Sequence, residues 1–409
     1  MDPRITEAYA HGLANLKPSA RDLEVGLRLH REALVFDAYG FAPLAPMDGD
    51  ALRQAAGEGA SQEELKDLRE HQIMSGQVRD LQARSEAAEA WEAAGVTCVF
   101  QNAGEECQAP LQHLKRFARH TQNGDLLRGH LVRATLPEDV EAAKRAGKHC
   151  LYLTTNGVPL AQQWRSAEEE LAYLPLFFQM GCRMMHLTYN RRNLLGDGCM
   201  EAANGGLSDF GRLAIAELNR CGLVCDVAHS GWQTSLEAAQ LSRRPMVASH
   251  TTCAALHAHP RAKPDGVIKA IADTGGYVGV CCVSGFLGGA GDLSRFLDHL
   301  DYLMRRFGAE HVAIGTDKAH SAARDEQEWA KLQGAWPKAR AIFESYWPEG
   351  TLPGADDPSL AWTNWPLFTV GLVQRGHSEA AIRQVLGGNV LRVARAALEG
   401  IVAPAPAAP

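Results

Sequence analysis

The sequence predicts an α/β fold, a (β/α)8 TIM-like barrel, and three observations predict it. Eight short apolar runs recur from one end of the chain to the other, and segments with helical spacing separate them. Most of the runs are also too uniformly apolar to leave one face in water. Strand and helix alternating eight times implies parallel pairing through crossover helices, and eight such units close into a barrel.

The runs fall at residues 34–36, 96–100, 150–153, 184–187, 223–227, 245–248, 277–283 and 312–315. Each has the length of a strand. Between them, residues 209–220 place Leu213, Ile215, Ala216 and Leu218 at helical spacing, and residues 293–307 do the same with Phe296, Leu297, Leu300, Leu303 and Met304. Two regions break the rhythm. Residues 48–80 are polar and rich in Gly, Ala and Glu, which reads as an inserted loop or helical flap after strand one. Residues 322–362 are rich in Trp, Pro and charge and extend the chain after strand eight. In a barrel both belong to the C-terminal face, where sites are built. One domain is expected over residues 1–400, with the Ala/Pro-rich residues 401–409 as a disordered tail.

Composition narrows the function classes. The chain has 409 residues, 46% of them hydrophobic and 22% charged, which excludes general disorder. A formal net charge of -7 gives no reason to expect nucleic acid or an anionic membrane surface as partner. Residues 1–29 lack the apolar core of a signal peptide, and no stretch is long and apolar enough to span a bilayer. The ten cysteines are scattered and form no C-x-x-C pair, as expected of reduced thiols in a cytoplasmic protein. The expected partner is a small-molecule substrate; a homodimer is left open.

Chemistry in such a barrel sits at the C-terminal strand ends. There the sequence offers Asp37 and Tyr39 after strand one, Asn156 after strand three, and Tyr189 and Asn190 after strand four. His229 follows strand five, His250 strand six and Asp317 strand eight. Imidazoles at successive strand ends point into one pocket as metal ligands or acid–base groups. Asp317 is placed to accept a proton from a bound water.

Several motifs then resemble those of the membrane (renal) dipeptidase family, the M19 peptidases of the amidohydrolase superfamily. Residues 205–211, Gly-Gly-Leu-Ser-Asp-Phe-Gly, resemble its GLTDFG segment, and residues 226–230, Asp-Val-Ala-His-Ser, its DLSHV. Ser249-His250 leading to His259-Pro260-Arg261 resembles SHS…HPRN. Ile314-Gly315-Thr316-Asp317 resembles IGSDFDG, and Gly387-Gly388-Asn389 with Arg392 resembles GGNxxR. The resemblance spans residues 35–398 and implies a barrel of the metal-dependent hydrolase type.

The family's zinc ligands carry over in part. Two histidines match His229 and His250. The strand-one His-x-Asp falls at Tyr39 and Phe41, the bridging glutamate at Asn156, and a pocket histidine at Tyr189. Asp317 matches the aspartate that handles the proton, while the second aspartate of that motif falls at Ala319. Arg261 matches a substrate-carboxylate-binding arginine, and its neighbouring asparagine is Ala262. Without a bridging carboxylate two close cations repel strongly, and a hydrolytic zinc normally takes three protein ligands. The metal site therefore reads as degenerate: no dinuclear centre is expected, and the cofactor is a single divalent metal on His229 and His250, zinc first, or none.

The expected catalytic set is Asp317, His229, His250 and Tyr189, with Arg261, Asn156 and Tyr39 binding substrate. Plainer readings stand beside these. His229 and His250 are then inherited groups that hold no metal, Tyr39 and Tyr189 fill vacated space, Asp37 caps a loop, and Arg261 pairs with Asp265. Cys281 and Cys282 read as core, His320 as a loop residue, and the Trp-rich residues 329–365 as packing. The expected function is that of a divergent hydrolase or lyase acting on a small carboxylate-bearing amide or amino-acid derivative. The alternatives are a non-catalytic descendant binding a small carboxylate or a partner protein, and an ordinary dinuclear dipeptidase with replacement ligands.

Overall fold

The computed structural model describes residues 2–104, 108–332 and 354–402. Its strands are β1 (Phe36–Gly40), β2 (Cys98–Asn102), β3 (Leu131–Ala134), β4 (His149–Thr155), β5 (Cys182–His186), β6 (Val224–Asp226), β7 (Val247–Cys253), β8 (Ala262–Lys263), β9 (Tyr277–Val280) and β10 (Val312–Ile314). Eight of them pair in the order β1-β2-β4-β5-β6-β7-β9-β10, all in parallel. The edges meet where Asp317 N donates to Tyr39 O at 3.0 Å and Phe41 N to Lys318 O at 3.0 Å, so the sheet forms a nearly closed barrel with interleaved helices.

These eight strands are the eight apolar runs. β3 and β8 lie off the ring, on β4 and β7. They carry no such run: β3 is four residues long with its middle half-exposed, and β8 has two residues. Two ring strands depart furthest from their runs. β1 begins at the last residue of its run and continues through polar Asp37 to Gly40, so Tyr39 lies within the strand. β7 continues through Ser249, His250, Thr251 and Thr252, all buried. Apolarity marks a strand only until its side chains reach a hydrogen-bonded pocket.

The barrel interior is packed. Phe36, Phe100, Tyr152 and Met184 fill it, with Phe36 stacked on Phe100 at 5.3 Å. The helix Asn389–Leu398 joins that cluster through Val390, Val393, Ala394 and Ala397. Arg392 donates to Gly275 O and Glu310 O, and Asn389 to Ala309 O and Val312 O, all on the N-terminal side of β9 and β10. The second, larger cluster lies between strands and helices and runs from Ile5 to Leu386.

The insertion after β1 is helical, with helices Gly49–Gly57 and Gln62–Ser75. Buried Glu70 docks it on the helix Pro110–Leu126: Arg116 donates to Glu70 at 3.0 and 2.6 Å, and Arg119 at 3.1 Å. Of the segment after strand eight, residues 333–353 lie outside the described residues, as do residues 403–409 of the expected tail. Among the described residues no helix is long and apolar enough to cross a membrane.

Candidate functional site

The pleat places the site. Residues two apart share one face of a strand, and Met184 and Val224 face the barrel interior. His186 and Asp226, two residues further on, therefore face it too, one layer nearer the C-terminal end. They are register partners on β5 and β6, with His186 Nε2 3.0 Å from Asp226 Oδ2 and both side chains fully buried.

His250 reaches the same layer because β7 is irregular between Ala248 and Thr251. Two glycines make room for that irregularity. A β-carbon on Gly279 would lie 1.9 Å from the Ser249 carbonyl oxygen, and one on Gly315 would lie 2.0 Å from it. His229 follows β6, and its Nε2 is 3.0 Å from His250 Nε2. Its Nδ1 is 2.8 Å from Asn190 Oδ1, and His250 Nδ1 is 2.8 Å from Ser249 Oγ. Burial is the first reason that both imidazoles are held well below the ordinary histidine value, and the Arg261 charge is the second. Both are therefore neutral at pH 7, and one ring donates its Nε2–H to the Nε2 lone pair of the other.

Two tyrosines cover them. Tyr39 stacks on His250 with ring centroids 3.8 Å apart, and Tyr189 stacks on His229 at 4.1 Å. The Tyr39 hydroxyl donates to Asn156 Oδ1 at 2.6 Å. Phe41 lies edge-on to Tyr39 at 5.9 Å. Where the resemblance places a His-x-Asp and a bridging glutamate, the structure thus has an aromatic pair and a phenol–amide hydrogen bond. That set does not fit a metal pair.

Arg261 is fully buried against Phe286, its guanidinium 5.5 Å from the ring. Nη1 donates to Ala228 O and Nη2 to His250 O at 3.0 Å, the carbonyls flanking the histidine pair, while Nε has no hydrogen-bond partner among the described residues. Asp265, the alternative partner, instead accepts from Tyr302 and faces Arg306. Asp317 follows β10 with left-handed backbone, φ 55°. An aspartate tolerates that region at a cost on the order of 1 kcal/mol.

Asp37 lies within β1 and is fully buried. It accepts from Thr316 N at 2.9 Å, Thr316 Oγ1 at 2.6 Å and Trp362 Nε1 at 3.1 Å, which ties β1 to β10. Burial outweighs those donors and pushes its carboxyl up to about 7. His320 is a loop residue 3.4 Å from Asp2, and Cys281 and Cys282 are buried core.

Sequence reasoning missed three members of this neighbourhood. His186 sat inside an apolar run, and Asp226 was read only as part of a motif; the period-two spacing from Met184 and Val224 was the available signal. Lys263, on β8, is fully buried and donates to Ser230 O at 2.5 Å and Ser235 Oγ at 3.1 Å, with burial pushing it down to about 7. Nothing in the sequence marked its position.

Comparison with known proteins agrees with the geometry. The sequence profile described as membrane dipeptidase (peptidase family M19) matches residues 27–330. One curated relative, dipeptidase verJ of Clonostachys rogersoniana, is 29% identical over 219 residues, 53% of this chain and 48% of that protein. The chain thus matches about half the length of that relative. Among solved structures, an amidohydrolase from Pseudomonas aeruginosa superposes with a TM-score of 0.64 at 25% identity, covering 91% of this chain and 98% of that one. The probable dipeptidase PvdM from Pseudomonas aeruginosa gives 0.64 at 18% identity, covering 93% and 99%, and shares the fold.

Proposed function

The chain belongs to the membrane dipeptidase family, peptidase family M19, and from that premise we propose that it is a divergent hydrolase of small carboxylate-bearing amides, working with one divalent cation or none. The observation that carries this reading is the pair of neutral, buried imidazoles of His229 and His250 with the Arg261 charge beside them. A divalent cation, zinc first, would supply a Lewis acid and lower the pKa of a water by several units.

The chain's own residues supply the rest. Arg261 keeps a fixed positive charge next to the histidines and still has donor capacity for a carboxylate, since two of its five N–H groups suffice for the two carbonyls. Asn156, held by Tyr39, and Tyr189 line the substrate side. Asp317 accepts the proton of the attacking water and returns it to the leaving amine, so proton and electron pair both end on the departing nitrogen. Tyr39 and Tyr189, stacked on the imidazoles, keep bulk water from their faces.

One observation favours the non-catalytic alternative: His229 is 5% exposed and His250 is fully buried, so a ligand reaches them only if a tyrosine moves. A turnover assay separates the two. Zinc-loaded and chelated protein are compared on a panel of N-acyl amino acids, amino-acid amides and simple dipeptides. We expect turnover of a carboxylate-bearing amide, and standard dipeptides to be poor substrates. Dipeptide turnover in the usual enzyme range, with two equivalents of bound metal, would sink the divergent reading. No turnover of any amide, with saturable carboxylate binding, would establish the non-catalytic one.

A further inference from the structure

We propose that the chain holds one divalent cation at a relocated site whose protein ligands are His186, Asp226 and His250. The site differs from the family-implied set: His186 and Asp226 belong to none of the inherited ligand positions. The inference rests on the functional reading only in assigning the cation to the same pocket.

Three observations carry it. The ligand atoms of His186, Asp226 and His250 all lie within 4.8 Å of one another, and all three residues are fully buried. His186 Nε2 and Asp226 Oδ2 are 3.0 Å apart, close to the separation of about 3.3 Å between ligand atoms around a tetrahedral zinc. Two imidazole nitrogens and one carboxylate oxygen also make the three-ligand complement of hydrolytic zinc sites, which leave a fourth position open.

The second observation is the outer anchoring of each ligand. His186 Nδ1 donates to the Thr155 carbonyl at 2.7 Å, which fixes the tautomer so that Nε2 carries the lone pair in the neutral ring. Asp226 Oδ1 accepts the amides of Ala228 at 2.9 Å and Ser249 at 3.0 Å, which turns Oδ2 inward. His250 Nδ1 is held by Ser249 Oγ. Metal-ligating side chains are oriented by such partners.

The third observation is that Asp226 Oδ2 accepts no aligned hydrogen bond among the described residues, despite its approach to His186 Nε2. A buried carboxylate oxygen without an aligned donor is costly, and a cation beside it offsets that cost.

The arrangement also accounts for the losses on the other side of the pocket. Tyr39, packed on His250 and bonded to Asn156, fills the side from which the inherited ligands are missing. His186 and Asp226 supply ligands on the opposite strands, β5 and β6.

The test uses the full chain, stripped with a chelator and titrated with Co2+. Equilibrium dialysis counts the metal, and the visible d–d absorption reports its geometry. We expect one equivalent with the intensity of a four-coordinate site. Asp226→Asn keeps the Oδ1 acceptor for both amides but replaces Oδ2 with an NH2 group, so the fold is retained. It should weaken Co2+ binding by more than the roughly 10–100-fold lost with an outer partner, and His186→Gln should do the same. Chelated wild type and variants should melt alike, with only the wild type shifting upward on adding Co2+. If a variant fails to fold, anomalous diffraction at the cobalt edge from wild-type crystals decides the ligands. An ion bound away from His186 and Asp226, two equivalents, or no saturable binding at millimolar Co2+ would overturn the site. Amide hydrolysis by fully chelated protein with no metal binding would remove the site and keep the hydrolase reading. A bound ion with no turnover of any amide would do the reverse.

Discussion

Asp37 shows how burial and hydrogen bonding compete at one residue. Four donors converge on its carboxyl and favour the charged form, yet complete burial wins and pushes it up to about 7. A carboxyl whose folded pKa is raised adds stability that is fully present below its unfolded value of 3.8 and is lost as pH rises through about 7. Asp37→Asn, which mimics the protonated form, should therefore flatten the stability profile between about pH 4 and 7. Denaturant midpoints across that window check it; an unchanged slope would show that Asp37 stays ionised. Tyr39→Phe keeps the ring on His250 but removes the hydrogen bond to Asn156, at a cost of about 1 kcal/mol. Chemical denaturation reads that cost, and Co2+ affinity should stay within a few-fold of wild type.

At the scale of elements, the insertion after β1 hangs on a buried charge cluster. Glu70 faces Arg116 and Arg119 with little water about it. Glu70→Gln leaves two guanidinium groups against a neutral amide, and breaking a buried pair from one side costs about 3–5 kcal/mol. The barrel core does not pass through this cluster, so the loss should be local. Hydrogen exchange is expected to rise in the helices Gly49–Gly57 and Gln62–Ser75 while β4 to β7 stay protected. Uniform deprotection would mean that insertion and barrel unfold as one unit. Gly315 is a second element-scale device. Gly315→Ala drives a β-carbon into the Ser249 carbonyl, so β7 must shift and carry His250 with it. Such overpacking costs about 1–3 kcal/mol, and the thermal midpoint should fall; an unperturbed variant would show that the strand tolerates a regular pleat there.

For the whole molecule, binding and stability are linked. A cation that binds only the folded chain stabilises it by about 2.7 kcal/mol at a hundredfold excess over its Kd. The melting temperature of the chelated protein should therefore rise with zinc or cobalt and return on adding chelator. A midpoint insensitive to divalent metal would argue that the barrel uses none. Closure of the ring at Tyr39 and Asp317 ties β1 to β10, so site geometry and global stability are expected to fail together on heating.

The alternation of apolar runs fixes the eight-strand parallel ring, because crossover connections leave parallel strands buried on both faces. The same chain order, with its motifs, carries the family and the positions of His229, His250, Asp317 and Arg261. The resemblance also sets Tyr39, Phe41 and Asn156 at family ligand positions in the sequence, and a phenol, a phenyl ring and an amide are poor substitutes for those ligands. What only tertiary structure decided is which groups meet. His186 and Asp226 lie 40 residues apart and become partners only through the register of β5 on β6. His250 joins them only because glycines on β9 and after β10 let β7 depart from a regular pleat. Arg261 commits two donors to carbonyls that no local pattern predicts. Periodicity reports which face of an element is buried; contact across elements depends on register and on close backbone approach, and a linear sequence leaves both implicit.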